Sequence, residues 1–314
     1  MTSVRGVVPS RVLRYPRSMS EDMTEQSDIV EPTFSYASAA LAGDYDANLA
    51  ELEERAPVRL ISTMHGLTVA FTDEPASAAA SRADEHRFDH LPVRNRESGQ
   101  IVGLFERSVK FLPESVVGAV MRPPANETLI SADTPLLRFL YTADISPCRL
   151  VLDGMEITGL VTLSDIQRLP VRTVLFGLFI HFEILLTQAL RKVIGEDRQP
   201  FHLLSHERAK KAEEQWKVFV ESGLDRDAYS ALLLADKKAL AKTVQLGGAS
   251  KSRIEAEFSA IEKHLRDPIA HGSEYARTRE KALATIKAAR FLRNWIAVLK
   301  RDVQLAEDQD PGRT

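Results

Sequence analysis

The feature that most constrains this chain is an internal repeat. Ile101-Val102-Gly103-Leu104-Phe105 recurs as Ile157-Thr158-Gly159-Leu160-Val161, a period of roughly 55–60 residues. The surroundings repeat too. Val58–Ile61 and Leu67–Phe71 are β-prone, Pro75–Glu85 is Ala-rich and helix-prone, and Leu91–Arg94 leads through the turn Glu97-Ser98-Gly99 into the first copy. In the second copy, Thr128–Ile130 is β-prone, Thr134–Thr142 reads as a helix capped by Thr134 or Asp133, and Leu150–Leu152 precedes the turn Asp153-Gly154. A unit this small cannot bury its apolar face alone. The spacing therefore predicts two small α+β units packed together over residues 56–172, divided as 56–113 and 114–172.

Beyond Leu169-Pro170 the period changes. Leu175, Leu178, Phe179, Phe182, Leu185, Leu186, Ala189 and Val193 fall at helical spacing over Val174–Ile194. His206–Val220, Ala228–Val244, Ser250–Leu265 and Tyr275–Val303 read as further helices, with Gly247-Gly248 as a break. Residues 173–306 are expected to form an all-α helical bundle, so the chain as a whole is α+β. Residues 1–55 hold Pro9, Pro16 and Pro32 and few large apolar side chains. They are expected to be extended or disordered, with one candidate helix at Ala37–Arg55, and 307–314 to be a disordered tail.

Charge and cysteine content narrow the function classes. A single cysteine, Cys148, excludes an internal disulfide and a cysteine-based zinc site. Residues 1–200 carry 20 Lys/Arg against 27 Asp/Glu, and residues 201–314 carry 21 against 17. A mildly basic second half tolerates a polyanion without demanding one. Thr173–Leu190 is long and apolar enough for a membrane span. His181 and Glu183 near its middle favour a buried helix, so no membrane is expected and a cytoplasmic setting is. His86/His90 and His202/His206 are spaced four apart but lack a third ligand nearby, and no metal is expected. Trp216 and Trp295 sit among apolar neighbours at helical spacing and read as core.

Two constellations carry chemistry. The first is Gly159-Leu160-Val161-Thr162-Leu163-Ser164-Asp165, a strand running into a helix start. Free N–H groups there suit a phosphate, the Thr162 hydroxyl can add a bond, and the Asp165 carboxylate can accept from vicinal ribose hydroxyls. Gly159 permits close approach of a ligand or of backbone. By residue type alone, Thr162 and Asp165 serve equally well as a helix cap.

The tandem resembles a pair of cystathionine-β-synthase (CBS) domains, regulatory modules that commonly bind adenine nucleotides. Asp89-His90-Leu91-Pro92-Val93 with Ile101–Phe105 carries the likeness in the first copy, and Leu150–Gly154 with Gly159–Asp165 in the second. The resemblance implies AMP, ADP or ATP as a regulatory ligand, with phosphate at Thr162, ribose at Asp165 and Ser164 within the motif. Adenine would lie near Ile145 and Pro147. In the first copy Glu106 and Val109 stand where Thr162 and Asp165 stand in the second. A carboxylate repels phosphate and valine cannot bind ribose, so one competent site per chain is expected.

The second constellation is Arg266-Asp267-Pro268-Ile269-Ala270-His271-Gly272. Pro268 predicts a break at the end of the Ser250–Leu265 helix. A histidine can move the proton of a 2′-hydroxyl and an arginine can hold the scissile phosphate, chemistry that cleaves RNA without a metal. The same residues also fit a structural Arg–Asp pair with a solvated histidine. The helical half is similar to the HEPN (higher eukaryote and prokaryote nucleotide-binding) group, whose signature is an Arg, a polar residue and a His a few positions on. That resemblance implies a homodimer, RNA as a partner, and Arg266, Asp267 and His271 as catalytic residues. Glu183 is expected to pair with Arg266 or to cap a neighbouring helix, because a carboxylate on an apolar helix needs a partner, and it is a further candidate for the active site. The rival expectation is a non-catalytic sensor whose helices serve dimerisation or partner binding.

Overall fold

The structure is a computed structural model and describes residues 54–195, 199–223 and 227–308. The Ala37–Arg55 helix and the 307–314 tail therefore fall almost wholly outside the described residues, and the two described residues of the tail, Glu307 and Asp308, end a helix.

The first unit has β1 (Ala70–Phe71), α1 (Ala76–His86), β2 (His90–Arg94) and β3 (Ile101–Glu106). After a short helix α2 (Val117–Val120), the second has β4 (Leu129–Ser131), α3 (Leu136–Leu140), β5 (Cys148–Asp153) and β6 (Glu156–Thr162). Each sheet runs in chain order, with a parallel pair joined through a helix and then an antiparallel hairpin. The expected turns sit at Gly99 and Gly154, both at positive φ. Ile101 and Leu104 meet Cys148 and Leu150 in an apolar cluster of their own, which joins the two sheets.

The lead-in to each unit crosses to the other. Val58–Ile61 is expected as a strand but folds as a 3-10 turn at Val58–Leu60. Its N–H groups are spent on the second unit: Val58 donates to the Thr134 carbonyl at 2.8 Å and Arg59 to that of Ala132 at 3.0 Å. Conversely, Val117 and Gly118, on α2, donate to Glu74 and Thr72 of the first unit. The two glycines of the repeat make this crossing possible. A Cβ at Gly103 would lie 2.5 Å from the Arg122 carbonyl oxygen, and one at Gly159 would lie 2.6 Å from that of Thr63. The close approach foreseen at Gly159 is thus made by the chain's own backbone. Gly159→Ala is expected to cost about 1–2 kcal/mol through overpacking, read as a lowered denaturant midpoint.

The helical half begins without a linker. β6 runs into a 3-10 turn (Leu163–Gln167) and then α4 (Leu169–Ile194), which starts five residues before the expected Val174 with Pro170 in its first turn. The bundle continues with α5 (His206–Glu221), α6 (Leu234–Val244), α7 (Lys251–Ile261), α8 (Asp267–Ala270) and α9 (Arg279–Asp308). The expected Ala228–Val244 helix is split, with a 3-10 turn at Ala228–Ala231 preceding α6. Long α9 starts at Arg279 rather than Tyr275. α4 is long and apolar enough to cross a membrane by length and composition, yet half of its most apolar window is buried within the fold. One continuous core takes in Ile61 of the first unit's lead-in and Leu136, Val161 and Ile166 of the second unit together with Phe182, Phe258 and Trp295 of the bundle. The first unit keeps a separate core around Leu91 and Phe105. The second unit is therefore built into the bundle.

Candidate functional site

Thr162 ends β6, and the next residues turn back on it. Asp165 Oδ2 accepts the Thr162 N–H at 2.7 Å and the Thr162 hydroxyl at 2.9 Å. Asp165 Oδ1 accepts Arg168 Nε–H at 2.8 Å, and a second guanidinium nitrogen of Arg168 reaches Thr63 Oγ1 at 3.2 Å. Asp165 is buried, Arg168 is exposed and Ser164 faces solvent. A carboxylate taken into the interior needs such partners. The structure thus brings Thr162, Ser164 and Asp165 to one turn, with the carboxylate held by its own chain. Arg168 is the residue the sequence reading missed; an acid followed three positions later by a base was the available signal.

The second unit also holds a cavity of about 460 Å³ lined by Leu129, Ser131, Arg138, Ile145, Ser146 and Arg149, among others, within the size range of small-ligand pockets, and none of Thr162, Leu163, Ser164 and Asp165 lines it. Leu163 N–H donates to the Pro147 carbonyl at 2.9 Å, so the Ile145–Pro147 loop adjoins both the cavity and the Thr162 turn. Arg149 donates to the Thr142 carbonyl at 2.7 Å. Buried Cys148 follows Pro147, and desolvation pushes its thiol up to about 12, so it is an inert filler.

The equivalent place in the first unit is closed in another way. Glu106 accepts from Arg122 at 2.6 Å. Burial lowers the pKa of neighbouring His90.

The Arg266–Ala270 segment is helical throughout, contrary to the break expected at Pro268, and His271 lies just past its end. After α7 the backbone widens into a π-helical turn, Glu262–Arg266, and runs on into α8. The reason is physical. Proline lacks an N–H and its ring crowds the carbonyl four residues back, and a π turn absorbs both without ending the helix. Termination comes at Gly272, φ 66°, where Ser273 N–H bonds the Pro268 carbonyl at 2.9 Å. Arg266 donates to Asp267 at 2.9 Å, and both side chains are about half exposed. His271 caps α8 and faces solvent. Glu183 is not Arg266's partner: it accepts from Lys237 of α6 at 2.8 Å, because α6 packs alongside α4 and leaves that ammonium buried.

The two constellations are joined by contacts no motif announced. Gln167 Oε1 accepts N–H groups from Tyr275 (3.0 Å) and Ala276 (2.7 Å). The Tyr275 hydroxyl donates to the Ile166 carbonyl at 2.6 Å, and burial raises its pKa, which keeps it a donor. Arg172, on the first turn of α4, donates to the carbonyls of Pro268, Ile269 and Ser273 and lies over the Tyr275 ring. The turn that carries Asp165 is thereby bonded to the loop that follows His271. Among the described residues no cluster of three or more potential metal-binding side chains occurs.

This geometry defines a class: two small α+β units, the second continuous with a helical bundle. Solved structures similar to part of this chain include CBS domains. The CBS domain of the bacterial CNNM/CorC family Mg2+ transporter in complex with ATP is 22% identical over 40% of this chain and 94% of its own, with a TM-score of 0.32. The CBS domain of a membrane protein from Sphaerobacter thermophilus is 16% identical over 41% and 96%, with a TM-score of 0.32. An uncharacterized conserved protein from Pyrococcus horikoshii is 23% identical over 36% and 90%, again with a TM-score of 0.32. No family model and no curated protein matches the chain.

Proposed function

We propose that this chain is a CBS-pair regulator that senses an adenine nucleotide (AMP, ADP or ATP) at the Thr162–Asp165 turn and transmits its occupancy to a HEPN-like helical effector. The effector acts as a homodimer and cleaves RNA without a metal, using Arg266 and His271, with Asp267 orienting Arg266. The observation that carries this reading is the bonded path from the Asp165 turn, through Ile166, Gln167, Arg172 and Tyr275, to the segment behind His271. A ligand that shifts the turn must strain or move that segment, which is what differential binding to two states requires. Glu183, held by Lys237, is a structural member of the bundle in this reading.

A second reading has its own support. Within one chain Arg266 is committed to Asp267 and His271 points to solvent, which suits a sensor whose bundle only dimerises or binds a partner. Incubation with total RNA in the presence of chelator separates the two. Cleavage lost in both Arg266→Ala and His271→Ala is the expected result. Absence of cleavage with and without nucleotide selects the non-catalytic sensor. The nucleotide itself is tested by calorimetry with AMP, ADP and ATP, where Asp165→Asn is expected to weaken binding at least tenfold.

A further inference from the structure

Asp165, taken above as the carboxylate for a ribose, already has an occupant. Its Oδ2 is filled from Thr162, whose N–H is fixed by the backbone and whose hydroxyl lies on the same residue. Its Oδ1 is filled by Arg168 Nε–H at 2.8 Å. The Asp165 side chain is 10% exposed and that of Arg168 is 45% exposed. Of the groups on this carboxylate, Arg168 is the one that can leave for water. It is also anchored from behind, on Thr63 Oγ1.

We propose that Arg168 is the affinity- and specificity-determining residue of this site: its guanidinium stands where a ribose diol would bind, and a ligand enters by exchanging with it. The proposal rests on the reading of Asp165 as a ligand carboxylate. A carboxylate oxygen accepts about two strong hydrogen bonds, so a vicinal diol cannot share Oδ1 with the guanidinium without weakening both. Exchange swaps a charge-assisted pair for neutral donors, so the site discriminates against ligands that offer one hydroxyl instead of two. The exchange also acts at the right place. Arg168 accepts the first bonds of α4, from the N–H groups of Val171 and Arg172, and its own N–H is held by the Asp165 carbonyl. One turn on, Arg172 grips the Pro268, Ile269 and Ser273 carbonyls. Releasing the Arg168 side chain loosens the joint on which the bundle is mounted.

The test is calorimetry on the full chain with AMP, 2′-deoxy-AMP and inorganic phosphate. Arg168→Gln is expected to tighten AMP binding on the order of tenfold and to leave 2′-deoxy-AMP, which lacks the diol, unchanged. Thr63→Val removes the rear anchor without touching Asp165 and is expected to shift AMP affinity in the same direction by less, which keeps the proposal testable should Arg168→Gln fold poorly. Unchanged or weaker AMP binding in both variants, with binding still lost in Asp165→Asn, overturns the role of Arg168 and spares the site. Equal tightening for AMP and 2′-deoxy-AMP also overturns it, because the gain would not come from the diol. AMP binding indifferent to Asp165→Asn, or absent from the wild type and Arg168→Gln alike, removes the site and the proposal together. Phosphate bound as tightly as AMP has the same consequence, since Asp165 would then contribute nothing.

Discussion

Glu183→Ala is expected to destabilise the chain by about 3 kcal/mol, measured as a drop in the denaturant midpoint at unchanged slope. The reason lies with its partner. Lys237 Nζ donates to Glu183 Oε1 at 2.8 Å, and the lysine side chain is 10% exposed while that of the glutamate is 34% exposed. Removing the carboxylate strands an ammonium among apolar side chains of α4 and α6. The partial exposure of Glu183 trims the cost below that of a fully buried pair. Replacing both residues, as Glu183→Leu with Lys237→Met, is expected to recover most of the loss, because no buried charge is left alone. The pair of results also separates structure from catalysis. RNA cleavage regained by the stable double variant makes Glu183 a packing residue, whereas activity still lost after stability returns makes it part of the reaction.

Glu183 also illustrates what the residues could and could not disclose. That a carboxylate on an apolar helix needs a partner was legible. Which partner depended on how α6 lies against α4, and no periodicity encodes that. The repeat was legible for a better reason: Gly103 and Gly159 are required where one unit's lead-in crosses the other, so the same constraint left the same residue twice. The lead-in was misread because Val58–Ile61 is β-prone by composition, while its N–H groups are claimed by Ala132 and Thr134 far along the chain. Pro268 was misread because a proline ends an α-helix, but a π turn just before it removes the conflict. At the candidate site, Thr162 and Asp165 stood out because a strand-to-helix turn limits which residues fit. Arg168, Gln167, Arg172 and Tyr275 did not, since each is an ordinary residue until tertiary structure aims it.

Arg290→Ala is expected to cost about 1–2 kcal/mol, read as a lowered denaturant midpoint. Arg290 reaches from α9 to the end of α3, where it pairs bidentately with Asp144 and also donates to the Tyr141 carbonyl, at 3.0 Å from Nε. A fork of this kind is among the stronger surface pairs, and Arg293 packs over the Tyr141 ring beside it. Hydrogen bonding to Arg290 is the chief cause of the lowered Asp144 pKa. The sign of the pH effect follows. A carboxylate whose folded pKa lies below its ordinary value of 3.8 contributes its full stabilisation above that value, and loses it as pH falls through the lower, folded value. Wild type should therefore lose stability on acidification below about pH 4 more steeply than Arg290→Ala, with equal slopes at neutral pH. The same arginine bears on signalling. Thr142, Ile145 and Ser146, which line the cavity of the second unit, lie in the loop that Arg290 holds through Tyr141 and Asp144. The bundle is thus fixed to the second unit on two sides, at Arg290 and at the Gln167–Tyr275 contacts. A ligand that displaces Arg168 loosens one side while Arg290 holds the other, so the motion available to α4 is a pivot. Arg290→Ala removes the fulcrum. Nucleotide should then still bind, with affinity changed by less than about threefold, but its effect on the bundle, read as hydrogen-exchange protection of the loop after His271, should disappear.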